Sequence, residues 1–215
     1  MISGATVVVF ERSLILVEKS MANKVKFERE NVVRVASELF WKKGFHATST
    51  RDLQDAVNMR PGSIYSAFGS KEGLYSESLK AYTAQMKAKI DGFVCGSGTV
   101  LGGLRAFVES VIVKEKSCSP SAICMLVKAN GEFSETESPL RDLSVDLSAE
   151  FEVYLTTLFE QAISHGELSS RVSGLEYARF FQVQFTGLRS YFNRPGVDHL
   201  AQSMIDRMFA LLESL

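Results

Sequence analysis

Beyond residue 28 the apolar positions recur every three or four residues, and only four prolines interrupt the whole chain. This spacing predicts a run of α-helices. Val32, Val33, Ala36, Leu39 and Phe40 mark a first helix over Glu28–Lys43, stopped at Gly44. Thr48–Leu74 then reads as two short helices around a tight turn. Thr48, Ser49 and Thr50 carry hydroxyls that can cap a helix whose inner face holds Leu53, Ala56 and Val57. Asn58-Met59-Arg60-Pro61-Gly62 breaks that helix, because Asn enters the left-handed region cheaply and Pro suits a first helical position. The next helix, about Pro61–Ala67, turns Ile64 and Phe68 inward and leaves Ser63, Tyr65, Ser66 and Ala67 outside. It is too short to stand alone. This is the outline of a helix-turn-helix whose second helix is offered to a DNA major groove.

Downstream, Ser70 caps a long helix carrying Tyr75, Leu79, Tyr82, Met86, Ile90 and Phe93, a lever between two parts of the molecule. Cys95–Gly103 is glycine-rich and reads as a loop; it lacks the following Lys-Ser/Thr of a phosphate-cradling loop. Leu104, Phe107, Val108, Val111 and Ile112 define a fifth helix, Ala122–Val127 opens a short one, and Ser138-Pro139 starts another that runs to His165-Gly166. Ser173 and Glu176 form a capping box for a helix crowded with aromatic residues. The last helix carries Leu200, Met204, Met208 and Leu211. Two adjacent apolar helices with little chain left to cover them imply a partner subunit, so Phe180, Leu188, Tyr191, Leu200, Met204, Met208 and Leu211 are the expected homodimer interface.

The run from Gly44-Phe45 through Thr48-Ser49, Leu53, Ala56, Ser63-Ile64-Tyr65, Phe68 and Ser70-Lys71-Glu72 resembles the N-terminal domain of TetR/AcrR-family transcriptional regulators, in register over about residues 25–82. The chain departs from that pattern at Asn58-Met59, where Gly-Val is common, at Arg60, where a capping Ser is common, and at Ala67, where His or Tyr often touches phosphate. The resemblance implies an all-α fold of about nine helices. Its parts are an N-terminal extension (1–21), a three-helix DNA-binding domain (22–80) and a helical ligand-binding and dimerisation domain (81–215). It also implies a homodimer, a palindromic double-stranded DNA operator, and a small-molecule effector that displaces the heads through the lever helix. Tyr65 and Lys71 match family positions that reach the DNA backbone. Thr48, Ser49 and Thr50 stand where a helix N-terminus can hold phosphate, Arg51 is either a phosphate contact or a free surface residue, and Arg60, Pro61, Gly62, Ser63 and Ser66 face base edges.

Charge changes the picture modestly. The net charge of −1 gives no nucleic-acid signal, but residues 24–80 hold 10 basic against 7 acidic residues and residues 81–215 hold 12 against 16. The basic end suits phosphates. Three cysteines, with no metal-type pairing, suggest a reducing cytoplasm, and no apolar run approaches the ~18 residues of a membrane span. His46, His165 and His199 are scattered, and Glu150 and Glu152 sit two apart on a helix, so no catalytic constellation, metal site or cofactor is read. The alternative function is a helical ligand carrier or enzyme that retains the fold without specific DNA binding.

Phe107, Met125, Phe151, Tyr154, Phe181 and Phe185 are candidates to line an effector cavity, or else to pack the core. Cys118 and Cys124, near Lys114, Lys116 and Lys128, are candidates for thiol sensing, or else a loop thiol and a buried hydrophobe. Residues 1–20 are read as an upstream extension preceding a start at Met21, with a strand-like or helical arm as the other reading.

Overall fold

The computed structural model describes residues 29–115, 119–121, 123–133 and 138–215. The readings of residues 1–21 and of Cys118 therefore lie outside the described residues. Within them the chain is all-α, with nine α-helices and no strand. Helix α1 covers residues 29–43, α2 Thr50–Val57, α3 Pro61–Phe68, α4 Lys71–Ser97, α5 Val100–Glu109, α6 Met125–Glu132, α7 Pro139–Ser164, α8 Gly174–Phe192 and α9 Ala201–Ser214. A π-helical turn, Ser110–Lys114, extends α5.

Local chemistry explains most boundaries. Ser49 caps α2 and Ser173 caps α8, each in a full capping box, with Asp52 and Glu176 reaching back. Ser70 and Ser138 accept from Gly73 N–H and Arg141 N–H at the starts of α4 and α7. Asn58 ends α2 in the left-handed region at φ 51°. The glycine-rich stretch is not a loop. Helix α4 runs through Gly96 to Ser97, only Gly98 and Thr99 turn the chain, and Gly102 and Gly103 lie inside α5. Gly103 is there for close approach, since a Cβ at this position sits 2.4 Å from Val94 Cα on α4.

Two hydrophobic cores share α4. One, among α4, α5, α7, α8 and α9, centres on Leu104, Phe107, Phe159, Tyr177, Phe181 and Phe209. The other holds α1, α2 and α3 through Phe40, Leu53, Ile64, Leu74 and Tyr75, and is completed by Met125, Leu126, Ala129 and Phe133 from the α6 region. The helix-turn-helix thus packs against a helix drawn from far along the chain. Ala56, expected to face inward, is exposed; Leu53 alone of α2 is fully buried. An eight-residue helix offers only one stripe to its neighbours.

Replacing Gly103 by Ala is expected to push α5 off α4 and lower unfolding stability by about 1–3 kcal/mol, measured by urea denaturation.

Candidate nucleic-acid interface and ligand cavity

The exposed side of the head is built from α2, α3 and the start of α4. Ile64 and Phe68 anchor α3 inward, so Gly62, Ser63, Tyr65, Ser66 and Ala67 are left exposed. Arg29 of α1 holds the far end of the recognition helix: its Nη1 donates to Ala67 O at 2.6 Å, and its guanidinium lies 4.3 Å over the Phe68 ring. Sequence reading did not single out Arg29, because its partners are distant in the chain. The Arg60 side chain makes no capping bond, so the first turn of α3 keeps an uncapped Gly62 N–H. Among the described residues nothing lies within 4 Å of a Cβ placed on Gly62. Its bare surface leaves room for an outside partner.

The Thr50 and Tyr65 hydroxyls meet at 3.2 Å, joining the N-terminus of α2 to the outer face of α3. Ser49 also lies at this edge, with its hydroxyl committed to Asp52. Thr48 is corrected: it is fully buried, and its hydroxyl donates to Gly44 O at 2.6 Å, so its side chain cannot reach phosphate. Arg51 and Arg60 are exposed and form no ion pair among the described residues. Lys71 lies with its Nζ 4.2 Å over the Phe45 ring; partial burial pulls its pKa down, while Glu72, Glu132 and Asp52 pull it up. Lys43 pairs with Asp52 at 2.6 Å.

The head is tied to the body at the turn after α1. Glu132 of α6 accepts Phe45 N–H at 3.0 Å and His46 N–H at 3.1 Å. Lys128 Nζ donates to the carbonyls of Trp41 and Lys42, both at 3.0 Å, at the C-terminal end of α1. Trp41 Nε1 donates to Ile123 O at 2.6 Å, and its ring meets Tyr82 of α4 edge-on.

A cavity of about 290 Å³ lies in the body, walled by Met86, Ile90, Phe107, Phe151, Leu155, Phe181 and Phe185. Four of the six expected lining residues are brought together here: Phe107, Phe151, Phe181 and Phe185. The other two are corrected. Met125 is buried in the head core, and the Tyr154 hydroxyl is directed to Asp91 at 2.6 Å and to Lys87 O. A larger, more open cleft of about 980 Å³ lies between α1 and α4, and Met86 and Arg189 belong to both spaces. The Cys124 sulfur accepts a hydrogen bond from the Tyr82 hydroxyl at 3.4 Å, at the cavity wall. Burial raises the pKa of that Tyr82 hydroxyl, as does Cys124, while Arg189 opposes the shift.

The expected dimer surface divides in two. Leu188 and Met208 are buried within their own protomer, in the core among α5, α7, α8 and α9, and are corrected to core residues. Leu211 of α9 is 52% exposed and Val183 of α8 69%, and Phe180, Tyr191, Leu200 and Met204 are half-buried. Among the described residues no group of three or more His, Cys, Asp and Glu converges, and no helix is long and apolar enough to cross a membrane.

These features define a helix-turn-helix protein with a helical, cavity-bearing body. Residues 32–77 match the family profile described as "Bacterial regulatory proteins, tetR family". Over those residues the helix-turn-helix head is of the TetR-family type. It is 24% identical over 173 residues to the HTH-type transcriptional repressor ComR of Escherichia coli K12, covering 80% of this chain and 82% of that protein. Its fold is similar to that of a TetR-family regulator from Cytophaga hutchinsonii, with TM-score 0.76 at 19% identity over 87% of this chain and 94% of the other. It is also similar to the TetR-family regulator CifR, solved as a cysteine mutant complexed with 26-bp double-strand operator DNA. That likeness has TM-score 0.68 and 25% identity over 85% and 95% of the two chains.

The Asp52 carboxyl is held well below the ordinary carboxylate range by the Lys43 ammonium and by the Ser49 hydroxyl and N–H. A depressed pKa stabilises the fold above the unfolded value and loses that effect as pH falls through the folded one. Asp52→Asn is therefore expected to lower Tm near neutral pH, with the gap to wild type closing below about pH 3. A thermal melt series across pH measures this.

Proposed function

We propose that this protein is a homodimeric, cytoplasmic transcriptional repressor that binds a palindromic operator and is released by a small molecule held in the body cavity. The observation that carries the reading is the exposed α3 face, framed by the Thr50–Tyr65 hydroxyl pair and the unpaired Arg51 and Arg60, on a TetR-type head. Thr50, Tyr65, Arg51 and Lys71 serve the phosphates; the Ser49 N-terminal edge adds helix-dipole attraction. Arg60, Pro61, Gly62, Ser63 and Ser66 lead α3 into the major groove, with Arg60 reading guanine. The name of ComR as a repressor and the CifR–operator complex support the same role.

Dimerisation follows from the apolar strip on α8 and α9. Val183 and Leu211, flanked by Phe180, Tyr191, Leu200 and Met204, lose water only when a second copy covers them. Two heads then address half-sites roughly 34–36 Å apart, or a little more. The lever for release is α4, whose N-terminal half packs in the head core and whose C-terminal half packs beside the cavity.

A gel shift on the upstream intergenic DNA, with a salt series and excess competitor, tests this reading. Wild type is expected to form a specific complex of two protomers per site. Arg60→Ala should cost about 1–3 kcal/mol on the operator and relax preference at one base pair. Tyr65→Ala and Lys71→Ala should weaken all sequences alike, with Lys71→Ala giving a salt slope shallower by about one per head. Weak binding without preference by wild type moves the reading to a carrier or enzyme.

A further inference from the structure

The body cavity carries an unusual charge. Among the described residues that line it, Arg189 alone is charged. Its side chain is part of the buried wall, with the residue 5% exposed. The guanidinium is not neutralised: no carboxylate pairs with it among the described residues, and Nη1 is buried without a hydrogen-bond partner. Its other contacts are with neutral groups. The guanidinium hydrogen-bonds the Tyr82 hydroxyl, Nη2 donates to Ser121 O at 3.4 Å, and the group lies 5.6 Å and 5.8 Å from the Phe185 and Trp41 ring centroids. A buried guanidinium with an unmade bond and no paired carboxylate carries a desolvation cost that these contacts offset only in part.

A second buried polar atom is unpaired in the same wall. Asn130 Nδ2 donates to Ser148 Oγ at 2.9 Å, which orients the amide and leaves Oδ1 without a donor. The rest of the wall is aromatic and aliphatic, and Ile123 and Val127, 40% and 41% exposed, open it toward solvent. An apolar chamber with one unsatisfied cation and one unsatisfied acceptor describes its missing occupant by complementarity.

We infer that the effector is a small organic monoanion, a carboxylic acid on an apolar body, whose carboxylate is held by Arg189. One guanidinium balances one negative charge. The planar fork fits a carboxylate through the free Nη1, and among the described residues no second cation lines the cavity for a phosphate dianion. The volume lies at the small end of the range for ligand sites, which suits a compact acid. Asn130 Oδ1 accepts from a hydroxyl or N–H on the ligand body. The inference rests on the ligand-responsive reading above, and deepens it.

The test is calorimetric titration of the purified protein, without DNA, against hexanoate, decanoate, phenylacetate and 4-phenylbutyrate. The matched primary amides and inorganic phosphate are titrated in parallel. At least one acid is expected to bind, with its amide and phosphate at least about tenfold weaker. Arg189→Met should weaken that acid roughly 30-fold or more while leaving amide binding unchanged. Arg189→Lys should keep part of the preference for acid. Thermal melting of unliganded Arg189→Met is expected at or above the wild-type Tm, since the change removes a buried charge that no carboxylate pairs with among the described residues. The inference is overturned if no acid binds, if amides bind as well as acids, if Arg189→Met keeps the preference for acid, or if that variant melts far below wild type. Acid binding that does not release operator DNA sinks the regulatory reading and leaves the site standing.

Discussion

The molecule depends on how the Glu132 carboxylate receives the backbone of the turn after α1. That turn leaves Phe45 N–H and His46 N–H pointing away from any helix, and Glu132 satisfies both. Gly44 is required there twice over: its φ of +89° is left-handed, and a Cβ on it sits 2.6 Å from Glu132 Oε1. Around this joint Tyr75 meets Phe45 and Phe133 edge to face and those two rings pack tilted, bringing the end of α1, α4 and the end of α6 into one aromatic cluster. Removing the carboxylate leaves two backbone donors without their partner and loosens the base on which the recognition helix stands.

The same joint gives the body a hold on the head. Helix α6 reaches the head through Lys128 and Glu132, and reaches the cavity through Leu126, Val127 and Asn130. Trp41 at the end of α1 is bonded to Ile123 O and lies near Arg189, while Tyr82 of α4 meets Trp41 edge-on. An occupant of the cavity therefore touches elements that also hold α1. A ligand changes the head equilibrium only by binding its two positions unequally, and α6 and α4 are the elements that can sense both.

Much of this was legible in the chain because it is written locally. Ser49, Ser70, Ser138 and Ser173 announced helix starts, Asn58 a left-handed stop, and Ile64 with Phe68 the inward edge of α3. The misreadings come from contacts between distant segments. Gly102 and Gly103 look like loop residues until α4 passes at Val94. Thr48 looks like a phosphate ligand until its hydroxyl turns to Gly44 O, and Leu188 and Met208 look like interface residues until their own protomer buries them.

Arg189 shows where a signal was present but unused. It follows Phe181 and Phe185 at four-residue steps on α8, so it shares their stripe. A surface helix places its cations on the opposite face. A lone arginine in register with core-facing phenylalanines must either snorkel to water, meet a carboxylate, or wait for one. The structure removes the first option by burial, and no paired acid is found among the described residues. What remains is a cation whose partner arrives from outside. A protein that must respond to a small molecule has reason to keep such a residue, because the desolvation already met in the empty state makes the anion's arrival more favourable.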